Sequence, residues 1–182
     1  MAGATFLRGE RVELRTVERE HVDFLRDLIN DPEVWTHLNN RPPINGVSEE
    51  EYVEQQAAGE DSVNLLISVD GEPAGTIGFN PATPVDGSVE LGLLVAPAFW
   101  NEGYGTDAAR TVTTYAFEER RVHRVVAKAV TENVGSCRIW ETLGFREEGV
   151  FPEAGYHGGE YVDVAQYAVL EDEWEHYDRS LD

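Results

Sequence analysis

Between Val95 and Ala109 the chain has to leave a strand, turn sharply and start a helix within a few residues, through Trp100-Asn101-Glu102-Gly103-Tyr104-Gly105-Thr106. Gly103 and Gly105, one residue apart, remove side chains where backbone approaches something closely. The helix that follows points its first free N–H groups, and the positive end of its dipole, back at the turn. Chemically this is a candidate cradle for a phosphate or diphosphate. A tight strand-to-helix connection with no ligand would read the same way. No Gly-Lys-Ser/Thr closes the turn, so it is not a Walker loop, and a dinucleotide fingerprint with its third glycine and later acid is missing.

The rest of the chain alternates strand and helix signals around that turn. Arg11 to Arg15 alternates as a strand, and Glu18 to Ile29 has helical spacing that Asp31-Pro32 ends. Trp35 to Val47 reads as a loop, and Ser48 with Glu51 as a capping box opening a helix to about Ala58. Val63 to Val69 and Pro73 to Phe79 form a hairpin across Asp70-Gly71. A strand over Ser88 to Val95 follows, then a helix from Tyr104 to about Glu119 with Ala108, Val112 and Ala116 on one stripe. Val122 to Val130 is a strand, and Val134 to Leu143 a helix stopped by Gly144. Phe145 to Val150 and Glu160 to Val169 close the set around a glycine-rich loop. The expectation is an α+β fold: one mixed sheet of about seven strands flanked by about four helices.

Length and composition narrow the class. At 182 residues the chain reads as a single domain, 1–182, large enough for a real core. No apolar run approaches membrane-spanning length, and the first residues lack the regions of a signal peptide, which points to the cytoplasm and away from membranes. The lone Cys137 excludes an internal disulfide and suits a reducing compartment. Nucleic acid is disfavoured as a partner by a net charge of −21, since phosphate binding needs clustered Lys and Arg. Only Lys128 is a lysine among the 14 Lys and Arg residues. An acid-rich, lysine-poor surface suits solubility in concentrated salt; attraction of cationic substrates is the other reading.

Two further segments join the turn. One is Glu90 in the strand Val89-Glu90-Leu91-Gly92-Leu93-Leu94-Val95; the other is Thr131-Glu132-Asn133-Val134-Gly135-Ser136, followed by Trp140 and Leu143-Gly144-Phe145. Together they resemble the GNAT superfamily of acyl-CoA-dependent N-acyltransferases, and most of all its branch of Rim-type ribosomal-protein N-terminal acetyltransferases. The matching positions are Glu90, Gly92, Trp100, Gly103, Tyr104, Thr106, Ala108, Asn133, Ser136, Leu143, Gly144 and Phe145, within a likeness running from about Glu10 to Trp174. Asn101 stands where the family has glycine, and Asn tolerates a left-handed backbone. Glu102 stands where a lysine or arginine is common, an unfavourable charge beside a diphosphate. Gly105 in place of alanine and Asp107 in place of glutamate are milder departures.

The resemblance implies a sheet splayed between its central strands, with acetyl-CoA as co-substrate and no metal. Backbone groups of Leu93, Leu94 and Val95 would bond the pantetheine amides. Trp100, Asn101, Glu102, Gly103, Tyr104, Gly105 and Thr106 would form the diphosphate turn, Asn133 would bond the cofactor arm, and Ser136 would lie near the sulfur. The reaction is attack of an amine on a thioester, and the amine must first lose a proton. Glu90 is the candidate general base, its pKa raised by burial in an apolar strand; the alternative is an outward-facing surface acid. Ser136 is either a proton donor to the leaving thiolate or only a helix cap. Cys137 could carry a covalent acetyl group, but direct transfer is the reading preferred, with Cys137 a packed core or near-site thiol and Trp140 a core residue rather than a ligand. Trp35, His37 and Asn39, and Tyr156 and His157 in the late glycine-rich loop, are candidates for the acceptor site. The five histidines show no ligand spacing, so no metal site follows.

The function expected is N-acetyltransfer from acetyl-CoA to a protein N-terminus or a small-molecule amine. Acetylation of a polyamine or aminoglycoside is the alternative within enzymes, and a non-catalytic acyl-CoA-binding sensor the alternative outside them. A homodimer is compatible with the branch. If salt adaptation sets the charge, stability followed by chemical denaturation falls as KCl is diluted; full stability in low salt refutes that cause.

Overall fold

A computed structural model describes residues 3–38, 42–58, 62–83 and 87–174. Among these, the strands are β1 Thr5–Arg8, β2 Glu13–Thr16, β3 Val63–Val69, β4 Glu72–Thr83, β5 Ser88–Val95, β6 Arg124–Val130, β7 Arg146–His157 and β8 Glu160–Leu170. The helices are α1 Val22–Asn30, α2 Pro32–Trp35, α3 Gly46–Ala58, α4 Tyr104–Arg120 and α5 Val134–Thr142, with single 3₁₀ turns at Arg19–His21 and Pro97–Phe99. All eight strands form one sheet in the order β1-β2-β3-β4-β5-β6-β8-β7. Every neighbouring pair is antiparallel except β5 and β6, which run parallel because α4 carries the chain across between them.

The mixed α+β sheet expected from sequence is therefore present, with one strand and one helix more. The added strand β1 has four residues, too few for a periodic signal, and holds its place by pairing with β2. The added helix α2 is a single turn whose Asp31 cap accepts from Glu33 N–H at 2.8 Å. Helix α3 starts at Gly46, before the anticipated capping box: the cap is Asn45, whose side-chain oxygen accepts from Ser48 N–H at 2.9 Å. Asp70 and Gly71 both have positive φ, as a two-residue hairpin turn requires. Strand β7 runs on to His157, so Tyr156 and His157 lie in a strand and not in a loop; only Gly158-Gly159 form the turn.

The two faces of the sheet are covered differently. On one, α4 and α5 lay down Ala108, Ala109, Val112, Ala116, Cys137 and Trp140 against Leu65, Ile67, Ile77, Phe79, Leu91, Val125, Ala127 and Tyr167. Ala108, Val112 and Ala116, the anticipated stripe, are all fully buried. Burial of such side chains contributes roughly 1.5–3 kcal/mol for each larger one. On the other face α1 and α3 close a smaller cluster of Leu25, Val53 and Leu66. Among the described residues no helix is long and apolar enough to cross a membrane.

One of the buried polar residues ties the β1–β2 turn to this packing. Asp107, 3% exposed in the first turn of α4, takes three backbone N–H groups from the β1–β2 turn: Glu10 at 3.1 Å, Arg11 at 2.8 Å and Val12 at 3.1 Å. Arg110 lies 3.5 Å from the same carboxylate. Gly9 is required here, since a Cβ would fall 2.3 Å from an Asp107 oxygen. Removing the carboxylate leaves three N–H groups, that of Val12 buried, without their acceptor. Asp107→Ala should therefore lose about 2–4 kcal/mol in urea unfolding at high salt, a figure set by buried charge-assisted hydrogen bonds.

Candidate active site

Strands β5 and β6 pair only through Ser88↔Arg124, Val89↔Val125 and Glu90↔Val126. Beyond Glu90, β5 stays paired with β4 as far as Val95, and β6 stays paired with β8 as far as Val130. The two strands thus part company in the middle of the sheet. Leu91–Val95 and Ala127–Val130 are left with edges facing a cleft, which needs partners for its backbone groups. The splay inferred from the sequence resemblance is the central feature of the structure.

The cleft opens toward two helix N-termini. At the first, Ala96 and Pro97–Phe99 carry β5 into the turn, and the Trp100 indole N–H donates to the Val95 carbonyl at 2.7 Å. That bond fixes the exit of the strand, so the Val95 carbonyl and the Trp100 N–H serve each other. Asn101 has φ of 62° and Gly103 φ of 82°, so the left-handed conformation that asparagine was expected to tolerate is adopted. The first bond into α4 runs from Asp107 N–H to Gly103 C=O at 3.0 Å. Ahead of it the N–H groups of Tyr104, Gly105 and Thr106 belong to the open first turn of the helix. Gly105, by contrast, is buried, and a Cβ there would lie 3.1 Å from Ile139 and 3.4 Å from Val95. Its smallness lets α4 pack on β5 and α5.

Sequence reasoning missed Arg11. Its backbone is held by Asp107, and its guanidinium reaches from the β1–β2 turn to the Glu102 carbonyl. The same guanidinium lies over the Tyr104 ring, 4.9 Å from its centre. A positive charge therefore does stand at the turn, delivered from a residue 91 positions away, while the Glu102 side chain is exposed. No local pattern in the turn announces it. The sequence offers only an arginine two residues past Gly9, at the start of a strand.

The second N-terminus is that of α5. Asn133 caps it, its side-chain oxygen accepting from Ser136 N–H at 3.1 Å. The cap is thus Asn133 and not the Ser136 hydroxyl, which leaves the half-buried Ser136 oxygen outside the capping role. The Asn133 amide keeps its NH₂ for another partner. Cys137 is buried, with its sulfur 3.8 Å from the Val130 carbonyl, and Trp140 is 2% exposed. Both pack into the core, the reading preferred from sequence for Trp140 and one of the two left open for Cys137. Burial holds the phenol of the neighbouring Tyr167 above the ordinary tyrosine range, so it stays protonated.

Glu90 lies where the strands begin to part, on the face away from α4. The burial inferred from its apolar strand is absent: the side chain is 45% exposed, and its carboxylate meets the Lys128 ammonium at 2.8 Å. The neighbours Val89 and Leu91 turn into the core instead, the alternation of a strand. Of the acceptor candidates, Trp35 and His37 are exposed at and just beyond α2, while Asn39 lies outside the described residues. Tyr156 stacks edge-on with Tyr161, ring centres 5.0 Å apart. His157 Nε2 lies 3.4 Å from Glu132, which brings the tip of β7 to the loop that carries Asn133. Among the described residues no group of three or more His, Cys, Asp or Glu is gathered to hold a metal ion.

Comparison with known proteins agrees with this geometry. The acetyltransferase (GNAT) domain profile matches residues 11–146. The chain is 28% identical over 180 residues to the uncharacterized N-acetyltransferase p20 of Bacillus licheniformis, covering 92% of this chain and 97% of that one. It is 25% identical over 172 residues to the ribosomal-protein-serine acetyltransferase of Escherichia coli (strain K12), covering 90% and 95%. The crystal structure of a GNAT-family acetyltransferase from Bacillus anthracis superimposes with a TM-score of 0.80 at 28% identity, covering 92% and 99%. With the domain profile spanning most of its length and the parted strands set against two helix N-termini, the chain belongs to the GNAT family and is an N-acetyltransferase.

Proposed function

We propose that this enzyme moves the acetyl group of acetyl-CoA directly to a primary amine, with Glu90 as general base, and that it belongs with the Rim-type branch. The observation that carries the reading is the parting of β5 and β6 immediately after Glu90 and Val126. It creates strand edges suited to the pantetheine amides along Leu93, Leu94 and Val95, between an open helix start at Tyr104–Thr106 and the Asn133 cap. Helix starts of this kind favour a diphosphate through free N–H groups and dipole. These residues fit the CoA thioester, which supplies an activated acyl group and a thiolate that leaves readily.

The chain's own groups then have separate roles. The N–H groups of Asn101 to Thr106 hold the diphosphate, with Trp100 fixing the turn and the Arg11 guanidinium offsetting Glu102. Asn133 donates its NH₂ to the cofactor arm. Glu90 accepts the proton of the incoming ammonium, either directly or through a water. A backbone N–H near Leu94 stabilises the developing oxyanion, and the Ser136 hydroxyl supplies a proton to the leaving sulfur. Trp35, His37, Tyr156 and His157 are the acceptor-side candidates, with Asn39 beyond the described residues. A protein N-terminus suits the base best, since an α-amino group of pKa about 7.7–8.0 gives up its proton far more readily than a lysine-like amine near 10.4.

Thiol release from acetyl-CoA in high salt, measured with N-terminal peptides, polyamines and aminoglycosides, tests the reading. We expect release that depends on an amine, highest with a peptide. CoA binding without release by any amine would identify a non-catalytic CoA-binding domain. Glu90→Gln should keep CoA affinity and lower kcat by about 10²–10⁴-fold, the usual worth of a general base; unchanged turnover across pH removes Glu90 from the mechanism. Arg11→Ala should weaken acetyl-CoA binding roughly tenfold at low salt, with the loss shrinking as KCl rises. Binding of acetyl-pantetheine, which has no diphosphate, should be unaffected.

A further inference from the structure

Glu90 already has an amine within reach. A general base must lie about 2.6–3.2 Å from the group whose proton it takes, and Lys128 Nζ is 2.8 Å from Glu90 Oε2. Lys128 sits on β6 two residues past Val126, the last residue paired with β5, so it belongs to the parted segment. Its side chain is 42% exposed and Glu90's is 45%, so a molecule entering the cleft can meet both.

The residue type is as telling as its place. Lys128 is the only lysine in the chain; the other basic residues, histidines aside, are arginines. Half-exposed ion pairs contribute about 0–1 kcal/mol, and an arginine would supply that as well as a lysine. What lysine offers and arginine does not is an amine that can lose its proton and attack a carbonyl. A chain that uses arginine everywhere else keeps an amine beside the group we assign as its base.

We propose that Lys128 is a modification site of the enzyme itself: it accepts the acetyl group of bound acetyl-CoA when no external amine is present. This rests on the acetyl-CoA reading above. The Lys128 ammonium passes one proton to Glu90, and the neutral nitrogen attacks the thioester carbonyl. A C–N bond forms, the C–S bond breaks, and a second nitrogen proton goes to the departing sulfur, giving free thiol and acetyl-lysine. Glu90 returns its proton to solvent. The product has lost the positive charge that paired with Glu90, so self-acetylation frees the carboxylate for an external amine.

The single lysine makes the test clean. The full chain is incubated with acetyl-CoA in high salt without acceptor, then followed by intact mass and peptide mapping. We expect one acetyl group on Lys128, at least tenfold slower incorporation in Glu90→Gln, and none at this position in Lys128→Arg. Equal incorporation in Glu90→Gln, or in urea-unfolded chain, would mean ordinary chemical acetylation and overturns the proposal. So does an unmodified Lys128 in a preparation that releases thiol with added peptide or polyamine, and in that case the acetyl-CoA reading stands. Failure to bind CoA or to release thiol with any amine overturns the acetyl-CoA reading, and the Lys128 proposal with it.

Discussion

A single buried carboxylate organises the working end of this protein. Asp107 sits in the first turn of α4, where the helix dipole favours an anion, and accepts three N–H groups from the turn between β1 and β2. A carboxylate this deeply buried is tolerated only because donors surround it. Its effect is to lock an edge hairpin onto the start of the helix that follows the central strand. Through that lock Arg11 is carried to the Trp100–Thr106 turn, and the turn holds its left-handed residues. The positive charge of the turn is thus a tertiary property, although the helix start that needs it is local.

The second determinant is topological. An otherwise antiparallel sheet contains one parallel pair, β5 and β6, joined through α4, and that pair holds together for only three registers. Each strand keeps its outer partner, β4 or β8, throughout the parted segment. The sheet therefore opens a cleft without losing its continuity, and the core beneath, from Leu91 and Val125 to Ala108 and Trp140, stays closed. Catalytic candidates cluster at the boundary between paired and parted backbone because side chains there are anchored on a strand and still reach the cleft. Glu90 and Lys128 are such a pair.

Much of this was legible in the chain. The Asp70-Gly71 hairpin, the β5 limits, the stripe on α4 and the Gly144 stop are governed by neighbours a few residues away, and the structure has them where local chemistry put them. The short elements β1 and α2 were not legible, because they are too brief for periodicity and depend on partners far along the chain. The length of β7 was hidden for a similar reason. Its outer half is almost wholly exposed and lacks apolar alternation, and pairing with β8 extends it to His157. Glu90 shows the limit most plainly. An acid between Val89 and Leu91 reads as buried by its neighbours, yet a strand sends alternate residues to opposite faces, and this face is open.

By itself the sequence determined the family's motifs, the alternation of strands and helices, and the turn at Trp100 to Thr106, since each depends on residue types at fixed short spacing. Tertiary structure decided what surrounds those motifs. It set Arg11 against the Glu102 carbonyl, turned Gly105 into a packing residue and paired Glu90 with Lys128. These are contacts between positions far apart in the chain. Their energies depend on which strands adjoin and which face is covered, and no window of sequence encodes either.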